Sequence, residues 1–359
     1  MFDKKEIYLS SQNAMSQMVE EGISAVGGQL AVLVQGEVVV DIAVGQAEGN
    51  KALRPDDLHN VYCLFKPILY LLLGHLLETS GCSPDEPLNR ILKMPHWAPE
   101  CLTYRQLATH QAPLAEPSAA AWKLTPPNLQ EDLLNQPRVE TKPAYSQISG
   151  SLIAEHIIES ITGLPPNLYC YQELLKPFGL ASQVIVHPEL AISIRQRIRA
   201  PITGLPIEPL PMLSELLPSY LRETRLAVGT LATMGGMARL YEAVGSVLEG
   251  FPKPGFPSPV WLKNLMEDDR PFSDDPVFQR PAKWSAGMMT DVGRQNISRT
   301  AGPGSFGHTG GLANTVALYD SSRKATIALY LNGVGTERED HILPRMQIVD
   351  TVINAFPKY

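Results

Sequence analysis

The sequence holds no block rich in lysine or arginine, and its 359 residues carry a formal net charge of −7. Such a chain lacks the positive field that gathers nucleic acid or anionic lipid, so neither nucleic acid nor membrane is expected as a partner. Long apolar runs are also missing. The longest, around Ile68 to Leu77, contains His75 and is too short to span a bilayer. The opening Met1-Phe2-Asp3-Lys4-Lys5-Glu6-Ile7 has acidic side chains and no apolar core. No secretory signal is read there, and the cytoplasm is the expected location. The eight histidines include no His-x-His or His-Glu-x-x-His pair, and Gly302-Pro303-Gly304 is not followed by the lysine of a phosphate loop. Neither a metal nor any other cofactor is therefore expected. Only four cysteines occur, Cys63, Cys82, Cys101 and Cys170, without metal spacing or a disulfide framework. In a reducing compartment all would remain thiols. Cys82, Cys101 and Cys170 read as packing or surface residues. No internal repeat or low-complexity tract is present.

The elements that are there lie in an informative order. A helix is expected over residues 4–22, followed by strands 30–34 and 38–44 joined at Gln35-Gly36-Glu37. Near the other end, strands 315–319 and 325–331 form a second hairpin, and a helix over 343–356 closes the chain. Short antiparallel strands at both ends predict an α/β fold of the α+β type. In it one antiparallel sheet is built from both termini and flanked by helices. Residues 1–60 and 283–359 would form this sheet lobe and residues 61–282 a mostly helical inserted lobe, the whole making a single catalytic unit over 1–359. Residues 111–143 and 250–282 are broken by proline and read as loops that could wall a pocket.

The chemistry concentrates at Cys63-Leu64-Phe65-Lys66, which opens the apolar run. A nucleophile and a lysine three residues apart at a helix start share one side of the helix. The unpaired amides of a first turn favour negative charge and promote thiol ionisation, and Lys66 acts in the same direction or, if neutral, takes the proton. Pro67 lacks an amide and is tolerable only in the first turns, which suits Cys63 at the helix start. Downstream stand Pro143-Ala144-Tyr145-Ser146-Gln147-Ile148-Ser149-Gly150, running into a helix that ends near Thr162-Gly163, and Ser305-Phe306-Gly307-His308-Thr309-Gly310-Gly311.

In this order the three segments resemble the serine β-lactamase and penicillin-binding-protein superfamily, most closely its class C β-lactamase and esterase branch. That family uses Ser-x-x-Lys, then Tyr-x-Asn, then Lys-Thr-Gly or His-x-Gly. Leu102 to His110 and Leu175 to Leu180 are similar to two further segments of the family, and the resemblance covers nearly the whole chain. It implies a β-lactamase-like fold and acyl-enzyme chemistry, with Cys63 in place of the nucleophilic serine. Lys66 and Tyr145 would be the proton-handling pair, the Tyr145 phenol having its pKa pulled down by nearby cations. The resemblance also implies that the amides of Cys63 and Gly311 are oxyanion donors, and that Gly310 and Gly311 let substrate approach the backbone. His308 would line the opposite wall and hold the proton network or a substrate acid group. Gln147 stands where the family has asparagine; it would reach the substrate carbonyl or Lys66, with its extra methylene displacing the amide. Gln111-Ala112-Pro113 replaces the family's usual continuation after the histidine.

A cysteine would form a thioester, which stays activated toward amines and carbon nucleophiles. The expected function is therefore an acyltransferase or cyclase using a cysteine nucleophile. It would act on a small-molecule acyl substrate in biosynthesis, supplied as a carrier-protein or coenzyme A thioester. An esterase or amidase differs only in using water as acceptor. A catalytically inactive relative that binds an acyl ligand or a partner is the third alternative, favoured by Gln147 and the altered 111–113 segment.

Overall fold

The computed structural model describes residues 3–21, 26–47, 51–94, 98–116, 144–186, 225–267, 272–310, 315–333 and 339–357. Helix α1 (Lys4–Glu21) leads into a hairpin of β1 (Gly27–Val34) and β2 (Glu37–Gly45). Its two turn residues, Gln35 and Gly36, have φ of 51° and 81°. Positive φ at both positions matches the twist of the flanking strands and is least costly with glycine. The chain then passes through a 3-10 turn (Tyr62–Phe65) into α2 (Lys66–Thr79), α3 (Ser149–Thr162), α4 (Met234–Leu248) and α5 (Pro259–Met266). It returns through β3 (Trp284–Ser285), β4 (Met288–Thr290), β5 (Phe306–Gly310), β6 (Thr315–Asp320) and β7 (Ala325–Leu331), closing with α6 (Glu339–Asn354). Among the described residues no helix is long and apolar enough to cross a membrane.

These strands form one seven-stranded sheet in the order β2-β1-β7-β6-β5-β4-β3, with antiparallel pairing throughout. Strand side chains alternate between faces, and both faces are covered. Ala31, Leu33, Phe306, Ala317, Tyr319, Ala328 and Tyr330 share one core with the helices α2 and α4. Leu30, Val32, Val316, Leu318, Ile327 and Leu329 share the other with α1 and α6. That is why every residue of β1 is buried.

Helix α2 is apolar on all sides, and nearly all of it is buried, as expected of a central helix. Pro67 falls in its first turn. Cys63 belongs to the preceding 3-10 turn rather than to α2, and the amide of Lys66 donates to the Cys63 carbonyl. In such a turn side chains i and i+3 eclipse, so Cys63 and Lys66 still face one way. The turn begins at Tyr62 with φ 47°, held by its amide donating to Asn60 Oδ1 at 2.8 Å. A bulky residue in this region is strained and persists only where its surroundings impose it.

Two expectations need correction. Residues 250–282 are not loop throughout: they contain α5 and a small hairpin pairing 273–275 with 280–282. Ser258-Pro259, read from sequence as a breaker, is a helix start, with the Ser258 hydroxyl accepting from the Trp261 amide and proline in the first turn. The closing helix begins at Glu339, earlier than the expected 343, and accommodates Pro344 near its start. Of the other expected loop, residues 117–143 lie outside the described residues.

Helix α4 lies so close to the sheet that a Cβ at Gly245 would stand 2.5 Å from Tyr319 Cζ. Gly245→Ala gains about 1 kcal/mol of helix propensity but overpacks a buried ring, at about 1–3 kcal/mol. The urea midpoint of this variant is expected to fall.

Candidate active site

Four segments meet at the end of β5. The 3-10 turn carries Cys63, α2 begins with Lys66, the irregular segment preceding α3 carries Tyr145, and β5 carries His308. The turn and β5 touch at Gly310: a Cβ there would stand 2.5 Å from the Val61 carbonyl oxygen and 3.2 Å from the Leu64 amide nitrogen. The close approach that Gly310 permits is thus to the protein's own backbone. Gly311 lies outside the described residues.

Lys66 is fully buried. Its Nζ donates to the Tyr145 hydroxyl at 2.8 Å and to the Ser146 carbonyl at 3.0 Å, and it lies 4.2 Å from the centre of the Tyr145 ring. Cys63 lies beside both Lys66 and Tyr145, near enough that a charge on its sulfur acts on the ionisation of each. Cys63 alone of the three is partly exposed. The sulfur is therefore the part of this trio that an incoming molecule can reach.

Burial pushes the Lys66 amine below the usual lysine range, opposed by the charges of Cys63 and Glu116. Burial also pushes the Tyr145 phenol well above its ordinary value, and a charge on Cys63 adds to this. This reverses the sequence expectation that cations lower it: removal from water outweighs one neighbouring amine. His308 is buried with Nδ1 bonded to the Thr309 carbonyl, and Nε2 has no hydrogen-bond partner among the described residues. Burial, then the charge of Lys66, lowers its pKa to about 3. A neutral imidazole has no charge with which to pair a substrate acid group, contrary to that part of the expectation.

Gln147 is partly buried, and its side chain makes no hydrogen bond to Lys66. The backbone carbonyl of the preceding Ser146 takes that place. Cys82 is partly buried, Cys101 exposed and Cys170 buried, all as free thiols.

Several residues of the site went unnoticed in the sequence. Asp275 accepts from the Tyr145 amide at 2.8 Å and from the amides of Val277 and Phe278 at 2.9 and 3.2 Å. It thereby ties the 273–282 hairpin to Tyr145. Trp284 stacks on the Tyr145 ring with centroids 4.9 Å apart, and Phe278 meets that ring edge-on at 5.1 Å. His110, noticed only as part of a family-like segment, lies 4.7 Å from the same ring. Glu116 and Ser146 complete the surroundings through a 2.6 Å hydrogen bond. The aromatic residues carried a weak signal in their bulk; Asp275 and Glu116 carried none, because their partners are distant in sequence.

The family model described as Beta-lactamase matches residues 15–349. The chain belongs to the β-lactamase family. No curated protein matches this family member in sequence. Among solved structures it is similar to a penicillin-binding protein homologue from Caulobacter crescentus, at TM-score 0.77 and 18% identity over 97% of each chain. It is similar too to EstCE1, described as a hydrolase with promiscuous acyltransferase activity, at TM-score 0.76 and 16% identity over 97% of this chain and 99% of that one. The D-amino acid amidase of Ochrobactrum anthropi, complexed with L-phenylalanine amide, aligns at TM-score 0.73 and 19% identity over 98% of each chain. At such identities the likeness establishes the β-lactamase-like fold. Its structural relatives include hydrolytic enzymes.

The buried His308 has a consequence for stability. Unfolded, it takes a proton below its ordinary value of 6.5; folded, it does not until about 3. Its contribution therefore falls as pH drops from 6.5 toward 3. Urea unfolding of His308→Gln is expected to depend less steeply on pH in this window than that of the native protein.

Proposed function

We propose that the chain is an acyl-transfer enzyme whose nucleophile is the sulfur of Cys63. The observation that carries this is the partly exposed thiol set beside a buried amine that is itself hydrogen-bonded to a buried phenol. The depressed basicity of Lys66 suits it to receive the Cys63 proton, giving thiolate and ammonium. The sulfur attacks the acyl carbon, forming a C–S bond while the bond to the leaving group breaks. Tyr145, which keeps its proton to high pH, is suited to donate to the departing group and is reprotonated through Lys66. The Cys63 amide and that of Gly311 would hold the oxyanion, an arrangement worth several kcal/mol.

The thioester so formed remains reactive toward amines and carbon nucleophiles. Exchange with an incoming thioester conserves the type of bond, so carrier-protein or coenzyme A thioesters suit the donor role. A cytoplasmic enzyme of biosynthesis fits this chemistry, its partner a small-molecule acyl substrate. The activities ascribed to EstCE1 and to the D-amino acid amidase favour a second reading, an esterase or amidase with water as acceptor.

Intact-protein mass spectrometry after exposure to acyl thioesters and activated esters tests both. A stable adduct on the native protein is expected, absent from Cys63→Ala and discharged by amines faster than by water. Tyr145→Phe is expected to slow adduct formation by about 100-fold or more. Discharge by water alone would favour the hydrolase. Rapid nitrocefin hydrolysis, or no adduct from any donor, would overturn the acyltransferase.

A further inference from the structure

Ser146 is the point where three side chains from other parts of the chain converge. Its carbonyl accepts from Lys66 Nζ at 3.0 Å, its amide donates to His110 Nδ1 at 3.1 Å, and its hydroxyl donates to Glu116 Oε1 at 2.6 Å. Glu116 reaches further. Its Oε2 accepts from the amides of Ile148 at 2.8 Å and Ser149 at 3.2 Å, where α3 begins without a side-chain cap of its own. Both oxygens are thus engaged by donors, and backbone amides cannot reverse their role; this is the arrangement of an ionised carboxylate. The open amides of a helix start also favour negative charge. Burial works against these contacts and pushes the Glu116 pKa up.

The titratable groups facing Lys66 are Cys63, Tyr145, Glu116, His110 and His308. His110 accepts a hydrogen bond at Nδ1 from the Ser146 amide, so that nitrogen carries no proton of its own. Burial, then the charge of Lys66, pushes its pKa well down, and His308 is neutral likewise. The phenol of Tyr145 keeps its proton. Cys63 and Glu116 remain as the groups whose negative charge favours an ammonium at Lys66.

We propose that Glu116 is a positioning residue for the Cys63–Lys66 pair: it fixes Ser146, whose carbonyl holds Lys66 Nζ, and its charge stabilises the ammonium formed when Lys66 takes the Cys63 proton. The inference rests on Cys63 being the nucleophile. The proton moves from Sγ to Nζ, and Glu116 neither gives nor receives one. Without the Glu116 charge the buried pair would favour thiol and neutral amine.

The test is the rate of Cys63 alkylation by iodoacetamide across pH, read at the Cys63 peptide, in native protein, Glu116→Gln and Glu116→Asp. No acyl substrate is involved, so failure of the acyl-transfer reading, seen as no adduct on the native protein, is distinguishable. Glu116→Gln is expected to raise the thiolate midpoint by about one pH unit, slowing alkylation about tenfold near pH 7. Glu116→Asp, which keeps the charge, is expected to restore most of the rate. An unchanged midpoint in a Glu116→Gln protein that melts cooperatively would overturn the proposal, since a merely structural role changes stability and not the titration. Should Glu116→Gln fail to fold, NMR of isotope-labelled lysine at Cε in the native protein decides. Lys66 is expected to be an ammonium wherever Cys63 alkylates as a thiolate, and a neutral amine there would overturn the proposal.

Discussion

An amine withdrawn from water has to find all its partners inside the protein, and the burial of Lys66 imposes that demand on everything around it. Leaving such a group unpaired costs several kcal/mol. Each hydrogen bond to a charged group returns about 1.5–3 kcal/mol, so two or three must be made together. The phenol of Tyr145 and the carbonyl of Ser146 supply two, with the Cys63 sulfur beside them. Each partner is then held in turn: Tyr145 by Asp275 and by stacking on Trp284, Ser146 by His110 and Glu116. The site is an outward succession of hydrogen-bonded groups set in two apolar cores, in which His110 Nε2, His308 Nε2 and Trp284 Nε1 have no partner among the described residues.

The fold makes that succession possible by fixing Lys66 at the base of a helix that cannot turn. Helix α2 is buried on every side, so rotating it would expose leucines whatever the direction. The turn before it is pressed against the end of β5, where only a glycine leaves room. Between these limits Cys63 has one place to be, at the margin of the core and beside the amine.

Much of this was legible because it is local or carried by motif order. The hairpins at both ends announce themselves as short apolar segments flanking polar turns such as Gln35-Gly36-Glu37, and Pro67 marks the start of α2. Cys63, Lys66 and Tyr145 come together as the family-like motifs implied. The features that could not be read depend on distant partners. The direction of the Tyr145 pKa comes from burial under Trp284 and Phe278, whereas the sequence offered only the nearby lysine. Gln147 occupies the family's asparagine position, yet the backbone of Ser146 holds Lys66. Ser258-Pro259 can break a helix or begin one, and here the buried Leu262 and Leu265 of α5 make it a beginning. Gly311 and residues 117–143 lie outside the described residues.

The place of β1 in the sheet has a kinetic side. Its register pairs Val34 with Ala325 and Gly28 with Leu331, so nearly the whole chain separates a strand from its neighbour. During synthesis β1 and β2 emerge early as a hairpin whose open edge, all buried in the end, waits for β7. A lone hairpin is marginal in water, and pairing across such a distance is slow because loop closure precedes any return. The strands on which His308 depends are thus assembled last. A nascent chain halted before Leu331 would present an unpaired apolar edge, the usual starting point for aggregation.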